Sequence, residues 1–156
     1  MERTFDLSRA ATRPFMLDSM PLTDNGLELL GPDECRLLLG RGRVGRVGVT
    51  IGALPAIFPV NYAILGEDIV FLTGAGTKLQ AAVDHSVVAF QVDWFDGASG
   101  WSVLAVGVAA EITDPAELDA AQALPLVPFA GGDRSHFVRI RPEFVSGRRI
   151  EAGSSL

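Results

Sequence analysis

The chain has 156 residues, of which 48% are hydrophobic and 21% charged, as is typical of one compact domain with a sizeable core. Its net charge of −6 argues against nucleic-acid binding, and the single cysteine, Cys35, excludes an internal disulfide and fits a reducing compartment. No apolar run approaches the roughly 20 residues that span a bilayer, and Met1 to Leu22 lacks the apolar core of a secretory signal. We therefore expect a cytoplasmic protein that binds neither nucleic acid nor membrane.

Residues 1–25 carry no sustained hydrophobic period, which predicts an irregular N-terminal arm before one domain over residues 26–156. Pro32 stands in a first helical turn with Asp33 and Glu34 beside it. This pattern predicts a short helix with Arg41 in its last turn, ended by Gly42.

After Gly42 the hydrophobic period becomes two, and β-rich runs separated by turns predict seven strands. Their ranges are 44–51, 55–65, 69–73, 86–93, 101–113, 137–141 and 143–150. Glycines inside the first strand, Gly45 and Gly48, indicate a bend or the close approach of another backbone. Trp94–Gly100 and Pro125–Asp133 are predicted as loops, and Asp114-Pro115 predicts a helix over Ala116–Leu124.

The strand order lacks the sustained βαβ alternation of a doubly wound sheet. Closing an antiparallel sheet into a barrel removes its exposed edges, and this number of strands suits a small barrel. The sequence therefore predicts a mainly β fold with short helices, a barrel of six or seven mostly antiparallel strands.

The stretch Thr73–Val83 directly follows a strand and has the composition of an anion site. Thr77 and Gln80 form a capping box, which predicts a helix beginning at Thr77. Gly74 and Gly76 leave the backbone open to a ligand, and the helix start offers unpaired N–H groups. Lys78, the only lysine in the chain, adds a positive charge, and the hydroxyls of Thr73 and Thr77 can donate. A phosphate site and a purely structural connector both fit this pattern.

Four segments in this order resemble the pyridoxamine 5′-phosphate oxidase-like family. They are PVNY (59–62), FLTGAGTK (71–78), AFQVD (89–93) and GWSVLAVGVA (100–109). The resemblance covers roughly residues 31 to 150 and is closer to nitroimidazole-resistance-like proteins and actinobacterial flavin or deazaflavin reductases. It implies an FMN-binding split barrel. Residues 57–62 are apolar or amide-bearing where the oxidase itself has basic residues, so pyridoxamine phosphate oxidation is not the expected activity.

The resemblance further implies a homodimer that holds FMN near the subunit interface. It assigns the phosphate to Thr73, Thr77 and Lys78. It assigns the isoalloxazine and its backbone hydrogen bonds to Pro59, Val60 and Asn61. It also implies that Trp101 and Ser102 lie near the same cofactor, in the same subunit or the neighbouring one.

The leading hypothesis is an FMN-binding oxidoreductase that takes a hydride from a nicotinamide or another reductant and passes electrons to an unknown acceptor. One alternative is an F420-dependent reductase of the same fold, with Arg41, Arg43 and Arg46 lining a groove for the acidic tail. Another is a non-enzymatic module that binds flavin or haem. The two histidines and one cysteine lack metal-ligand spacing, so no metal site is expected.

Overall fold

Seven strands and three short helices make up residues 27–127 and 136–151, which are the residues that the computed structural model describes. The strands are β1 (Leu27–Leu30), β2 (Val44–Ile51), β3 (Leu54–Leu65), β4 (Asp68–Thr73), β5 (Ser86–Phe95), β6 (Ser99–Glu111) and β7 (His136–Glu151). The helices are α1 (Pro32–Leu39), α2 (Lys78–Val83) and α3 (Pro115–Gln122). The predicted arm, residues 1–25, and most of the predicted loop at 125–133 lie outside the described residues.

The strands form one antiparallel sheet that closes on itself. Its order is β1-β7-β4-β3-β2-β5-β6, and β6 pairs in turn with β7. Six strands therefore complete a barrel, and β1 adds to the C-terminal half of β7. The predicted fold class, a mainly β barrel of mostly antiparallel strands with short helices, is confirmed.

Two strand predictions are wrong. Leu27–Leu30 is not predicted as a strand, yet it pairs with β7; four residues carry too little periodicity, and their extended form depends on a partner near the other end of the chain. The predicted strands 137–141 and 143–150 are one strand, because a bulge accommodates Pro142. Gly107 pairs with Pro142 and Val106 with Phe144, so Glu143 has no partner on β6.

Two helices end earlier than predicted, and one loop is shorter than predicted. α1 ends at Leu39 rather than Arg41, because the Gly40 N–H donates back to the Arg36 carbonyl (3.2 Å) and closes the turn. α3 ends at Gln122, two residues before the predicted end. β5 and β6 continue through most of the predicted loop at 94–100, where the Ser99 and Ala98 N–H groups donate to Asp96 and lower its pKa.

Two aromatic rings of the barrel interior pack directly against each other. The Tyr62 and Phe90 centroids lie 4.8 Å apart with the rings at 71°, an edge-to-face pair. A Cβ at Gly45 would lie 2.2 Å from Phe90 Cζ, so the predicted close approach occurs at Gly45, with a ring instead of a backbone. At Gly48 a Cβ would make only an ordinary contact, 3.5 Å from Ala89 Cβ.

A second, smaller cluster covers the outer face of β4. Val70, Ile112 and Ala121 are buried there, so α3 packs against the outside of the barrel. Leu124 and Leu126 join this cluster, which carries the chain after α3 across the barrel surface. This packing brings residues 124–127 next to β3.

Tyr62 connects the core to the end of α1. Its hydroxyl donates to the Leu39 carbonyl (2.5 Å), and its N–H donates to the Arg43 carbonyl (3.0 Å). The side chain is 4% exposed, and this burial raises the pKa of Tyr62 to about 12, against the opposing effect of a hydrogen bond with the Gly42 backbone. Tyr62 is therefore neutral at physiological pH.

Tyr62 is the only tyrosine, so tyrosinate absorption reports this residue alone. We expect a pKa of about 12 in the native protein and about 10 in urea. At pH 11 the Tyr62 hydroxyl should be roughly nine-tenths ionised in the unfolded chain and about one-tenth ionised in the folded protein. Because the folded pKa is the higher one, the stability contributed by neutral Tyr62 is complete below pH 10 and is lost as the pH rises towards 12.

The measurement is an ultraviolet absorption titration of native and urea-unfolded protein, with Tyr62→Phe as the signal-free baseline. A native titration that coincides with the unfolded one would show that the Tyr62 hydroxyl is solvated.

Candidate functional site

β3 pairs with β2 over most of its length but with β4 over only part of it. The β2 ladder covers β3 from Leu54 to Asn61, whereas the β4 ladder stops at Tyr62. The Tyr62 N–H points to Arg43, the residue just before β2. Because backbone groups alternate along a strand, the Asn61 N–H and the Pro59 carbonyl point to the opposite edge of β3. These groups face the gap where β4 leaves the ladder.

A pocket of about 90 Å³ lies at this gap. Five predicted site residues line it, namely Pro59, Val60, Asn61, Thr73 and Thr77. Among the described residues, its other lining residues are Leu72, Gly74, Leu79, Leu126 and Val127. The structure thus brings the β3 segment and the Thr73–Thr77 turn together, as the resemblance implies.

The predicted capping box is confirmed, with one difference. Thr77 caps α2 by accepting a hydrogen bond from the Gln80 N–H (3.1 Å). The Gln80 side chain reaches back to the Gly76 N–H (2.7 Å) instead of that of Thr77, whose N–H donates to the Gly74 carbonyl. Gly76 has φ +69°, a left-handed conformation that glycine adopts without strain.

Lys78 and Thr73 differ in their availability to a ligand. Lys78 is the first residue of α2, exposed beside Thr77, and no carboxylate among the described residues forms an ion pair with it. Thr73 is 2% exposed, and its hydroxyl donates to the His136 carbonyl at 3.5 Å. Lys78 and Thr77 are therefore better placed than Thr73 to donate to an anion.

Trp101 and Ser102 do not reach this pocket within one chain. Ser102 pairs with Asp93 on β5, and Asp93 accepts from Arg46 (3.3 Å), which pairs with Pro59. Two strands separate Ser102 from β3, so it lies about 14 Å away around the barrel at ordinary strand spacing. Trp101 packs against the barrel core.

The segment after α3 supplies part of the pocket that sequence reasoning misses. Leu126 and Val127 line it, and the Asn61 side-chain amide donates to the Val127 carbonyl. The local sequence predicts only a loop here. Its position on β3 depends on how α3 packs against Val70, which local residue patterns do not reveal.

The three arginines of the F420 hypothesis are not equivalent. Arg41 and Arg43 line a second, larger cavity that borders Asn61, whereas Arg46 makes an ion pair with Asp93 (3.3 Å). The structure therefore places two of the three in one groove.

His136 is the first residue of β7, and its Nδ1 lies 2.5 Å from a Glu111 carboxylate oxygen.

Over residues 27–127 and 136–151 no three His, Cys, Asp or Glu side chains lie close enough together to bind a metal ion. None of the helices found in those ranges is long and apolar enough to cross a membrane.

Comparison with known proteins finds relatives of the same size. An uncharacterized protein of Mycobacterium tuberculosis is 38% identical over 132 residues, which cover 80% of this chain and 86% of the relative. The solved structure of the FAD binding protein from Mycobacterium smegmatis is 36% identical, with a TM-score of 0.70, covering 79% of this chain and 97% of that one. A conserved protein of unknown function from Corynebacterium diphtheriae is 31% identical, with a TM-score of 0.69, covering 80% and 98%.

A family-level comparison agrees with these relatives. The family described as pyridoxamine 5′-phosphate oxidase matches residues 31–149, nearly the range over which the sequence motifs resemble it. The barrel, its motif order and this match lead to one conclusion: the chain belongs to the pyridoxamine 5′-phosphate oxidase family.

Proposed function

We propose that this protein is a flavin-dependent oxidoreductase that binds FMN at the gap between β3 and β4. The observation that carries the proposal is the pocket that joins the open β3 edge to the Thr73–Thr77 turn. Lys78 follows directly as the first residue of α2 and is exposed. The 36% identity to a FAD binding protein of Mycobacterium smegmatis supports a flavin cofactor.

The residues present fit the two chemically different ends of a flavin mononucleotide. The Asn61 N–H and the Pro59 carbonyl offer one donor and one acceptor to the edge of a flat heterocycle. The Thr77 hydroxyl, the Lys78 ammonium and the first N–H groups of α2 suit a phosphate. Leu72 and Leu79 provide apolar walls between them.

A bound flavin supplies the hydride and electron transfer, so the protein's part is binding and orientation. Lys78 would neutralise the charge of the phosphate, and the β3 edge would orient the ring. Because the flavin supplies the redox chemistry, the protein needs no acidic or basic catalytic side chain, and the described lining of the pocket contains none.

We further propose that the working unit is a homodimer. The pocket in one chain, about 90 Å³, is far smaller than the roughly 300–1,000 Å³ of ordinary ligand sites. The outer face of β3, β5 and β6 exposes Ile57, Val87, Leu104 and Val108, an apolar surface that a second copy would cover. Ser102 lies on the same outer face of β6, next to Trp101, and would contribute to the neighbouring subunit's site.

FAD is a second candidate cofactor, favoured by the same comparison. FAD contains the ribityl phosphate of FMN, so Thr77 and Lys78 would serve either molecule. Titrating apoprotein with FMN, FAD and F420 ranks the three, and tighter binding of F420 would favour the deazaflavin reductase.

The redox function is tested by mixing flavin-loaded protein anaerobically with NADH or NADPH. We expect the visible absorption of the bound flavin to bleach with one of them. Bound flavin that neither nucleotide bleaches would favour a non-enzymatic binding module.

Replacing Lys78 with alanine should weaken FMN binding at least about tenfold, or about 1.4 kcal/mol, because the phosphate loses its ammonium partner. Riboflavin, which lacks the phosphate, should bind the variant and the wild type about equally. Fluorescence titration of both ligands measures the two affinities.

Lys78→Arg keeps the charge and serves as the matched control, with FMN affinity expected close to wild type. If Lys78→Ala lowers the affinities for riboflavin and FMN equally, or lowers neither, the proposal that the phosphate binds at α2 is wrong.

A charge on the outer face should separate the subunits. Val87 is 68% exposed on β5 and pairs with Val108, so Val87→Glu would place a carboxylate in the proposed interface. We expect sedimentation to show a dimer for the wild type and a monomer for the variant. Leu37→Glu, at a 58% exposed position on α1, should leave the dimer intact. A wild-type monomer would refute this arrangement.

A further inference from the structure

A groove distinct from the cofactor pocket lies between the start of β2, β3 and the segment after α3. We call it the arginine groove. Its described lining includes Arg41, Arg43, Val44, Ile64, Leu124 and Val127. Its volume, about 690 Å³, falls within the range of small-molecule sites.

The two arginines of this groove differ from most others in the described residues. Five described arginines make ion pairs, namely Arg36, Arg46, Arg139, Arg141 and Arg149. Arg41 and Arg43 pair with no carboxylate in residues 27–127 and 136–151, and no described lining residue of the groove is acidic. In a chain with a net charge of −6, two guanidinium groups on one cavity, with no carboxylate partner among the described residues, favour an anion.

The backbone that carries these arginines is held in place. Tyr62 donates its hydroxyl to Leu39 and its N–H to Arg43, on either side of the Arg41–Gly42 step. The Arg41 N–H also donates to the Leu38 carbonyl (3.1 Å). A Cβ at Gly42 would lie 2.2 Å from the Tyr62 hydroxyl, so only glycine lets the chain pass there. The arginines therefore project from a fixed base, which reduces the entropy lost on binding.

Much of the remaining lining of the groove is apolar. Val44 is 46% exposed, and Ile64, Leu124 and Val127 face the same space. A wall of this kind suits the hydrocarbon or aromatic body of a ligand, and the guanidinium groups suit a carboxylate, phosphate or sulfonate.

We propose that the arginine groove is a second ligand site, which binds an organic anion with an apolar body through Arg41 and Arg43. Asn61 and Val127 border both this groove and the cofactor pocket. The anion would thus lie next to the flavin of the proposed function. The site itself depends only on the groove's own residues, so it can be tested whether or not flavin binds.

The test uses two fluorescent probes with the same aromatic body. 8-Anilinonaphthalene-1-sulfonate carries one anionic group, and N-phenyl-1-naphthylamine carries none. We expect the wild-type protein to bind the sulfonate at least about tenfold more tightly than the neutral amine, with an affinity that falls as salt rises. Replacing Arg41 and Arg43 together with glutamine should remove this difference and leave the amine's affinity within about twofold.

Arg36→Gln is the matched control, because it removes an exposed arginine of α1 that already pairs with Asp33. It should leave both probes unchanged, and circular dichroism verifies that each variant is folded. Equal affinity of the wild type for the two probes, or unchanged sulfonate affinity in the double variant, would overturn the proposal. Neither outcome bears on flavin binding, which the Lys78 comparison tests separately.

Discussion

The ladder between β3 and β4 stops at Tyr62, and much of the candidate site follows from that stop. A fully paired barrel would offer a ligand only side chains, since its backbone donors and acceptors would already be used. Here the strands part while β2 still holds β3 on its other edge. The edge at Pro59–Asn61 is therefore both rigid and open, a combination that suits recognition of a flat polar ring.

Tyr62 links this edge to three other parts of the molecule. Its ring packs on Phe90 in the core, its hydroxyl binds the end of α1, and its N–H holds the start of β2. The glycines at positions 42 and 45 provide the space that the two rings need. The positions of the arginine groove and of the β3 edge thus depend on the same buried side chain.

How much could be predicted from sequence depended on how local the cause was. The closed antiparallel barrel and the Thr77 cap follow from period-two runs and from residues three positions apart, so both were predictable. β1 was not, because four residues extend only through pairing with β7. Leu126 and Val127 reach the pocket because α3 packs on Val70, a contact between distant parts of the chain. The family resemblance implies that Ser102 lies near the cofactor. The strand order of the folded barrel, which the sequence does not reveal, places two strands between Ser102 and β3 of the same chain.

The hydrogen bond from the Asn61 side chain to the Val127 carbonyl lowers the affinity of any ligand that binds the same side-chain amide. Such a ligand must displace the Val127 carbonyl, so its observed affinity is lower by the free energy of breaking the Asn61–Val127 hydrogen bond. Residues 124–127 lie along both cavities, and this hydrogen bond attaches them to β3. The shape of the wall that the two cavities share therefore depends on one side-chain amide.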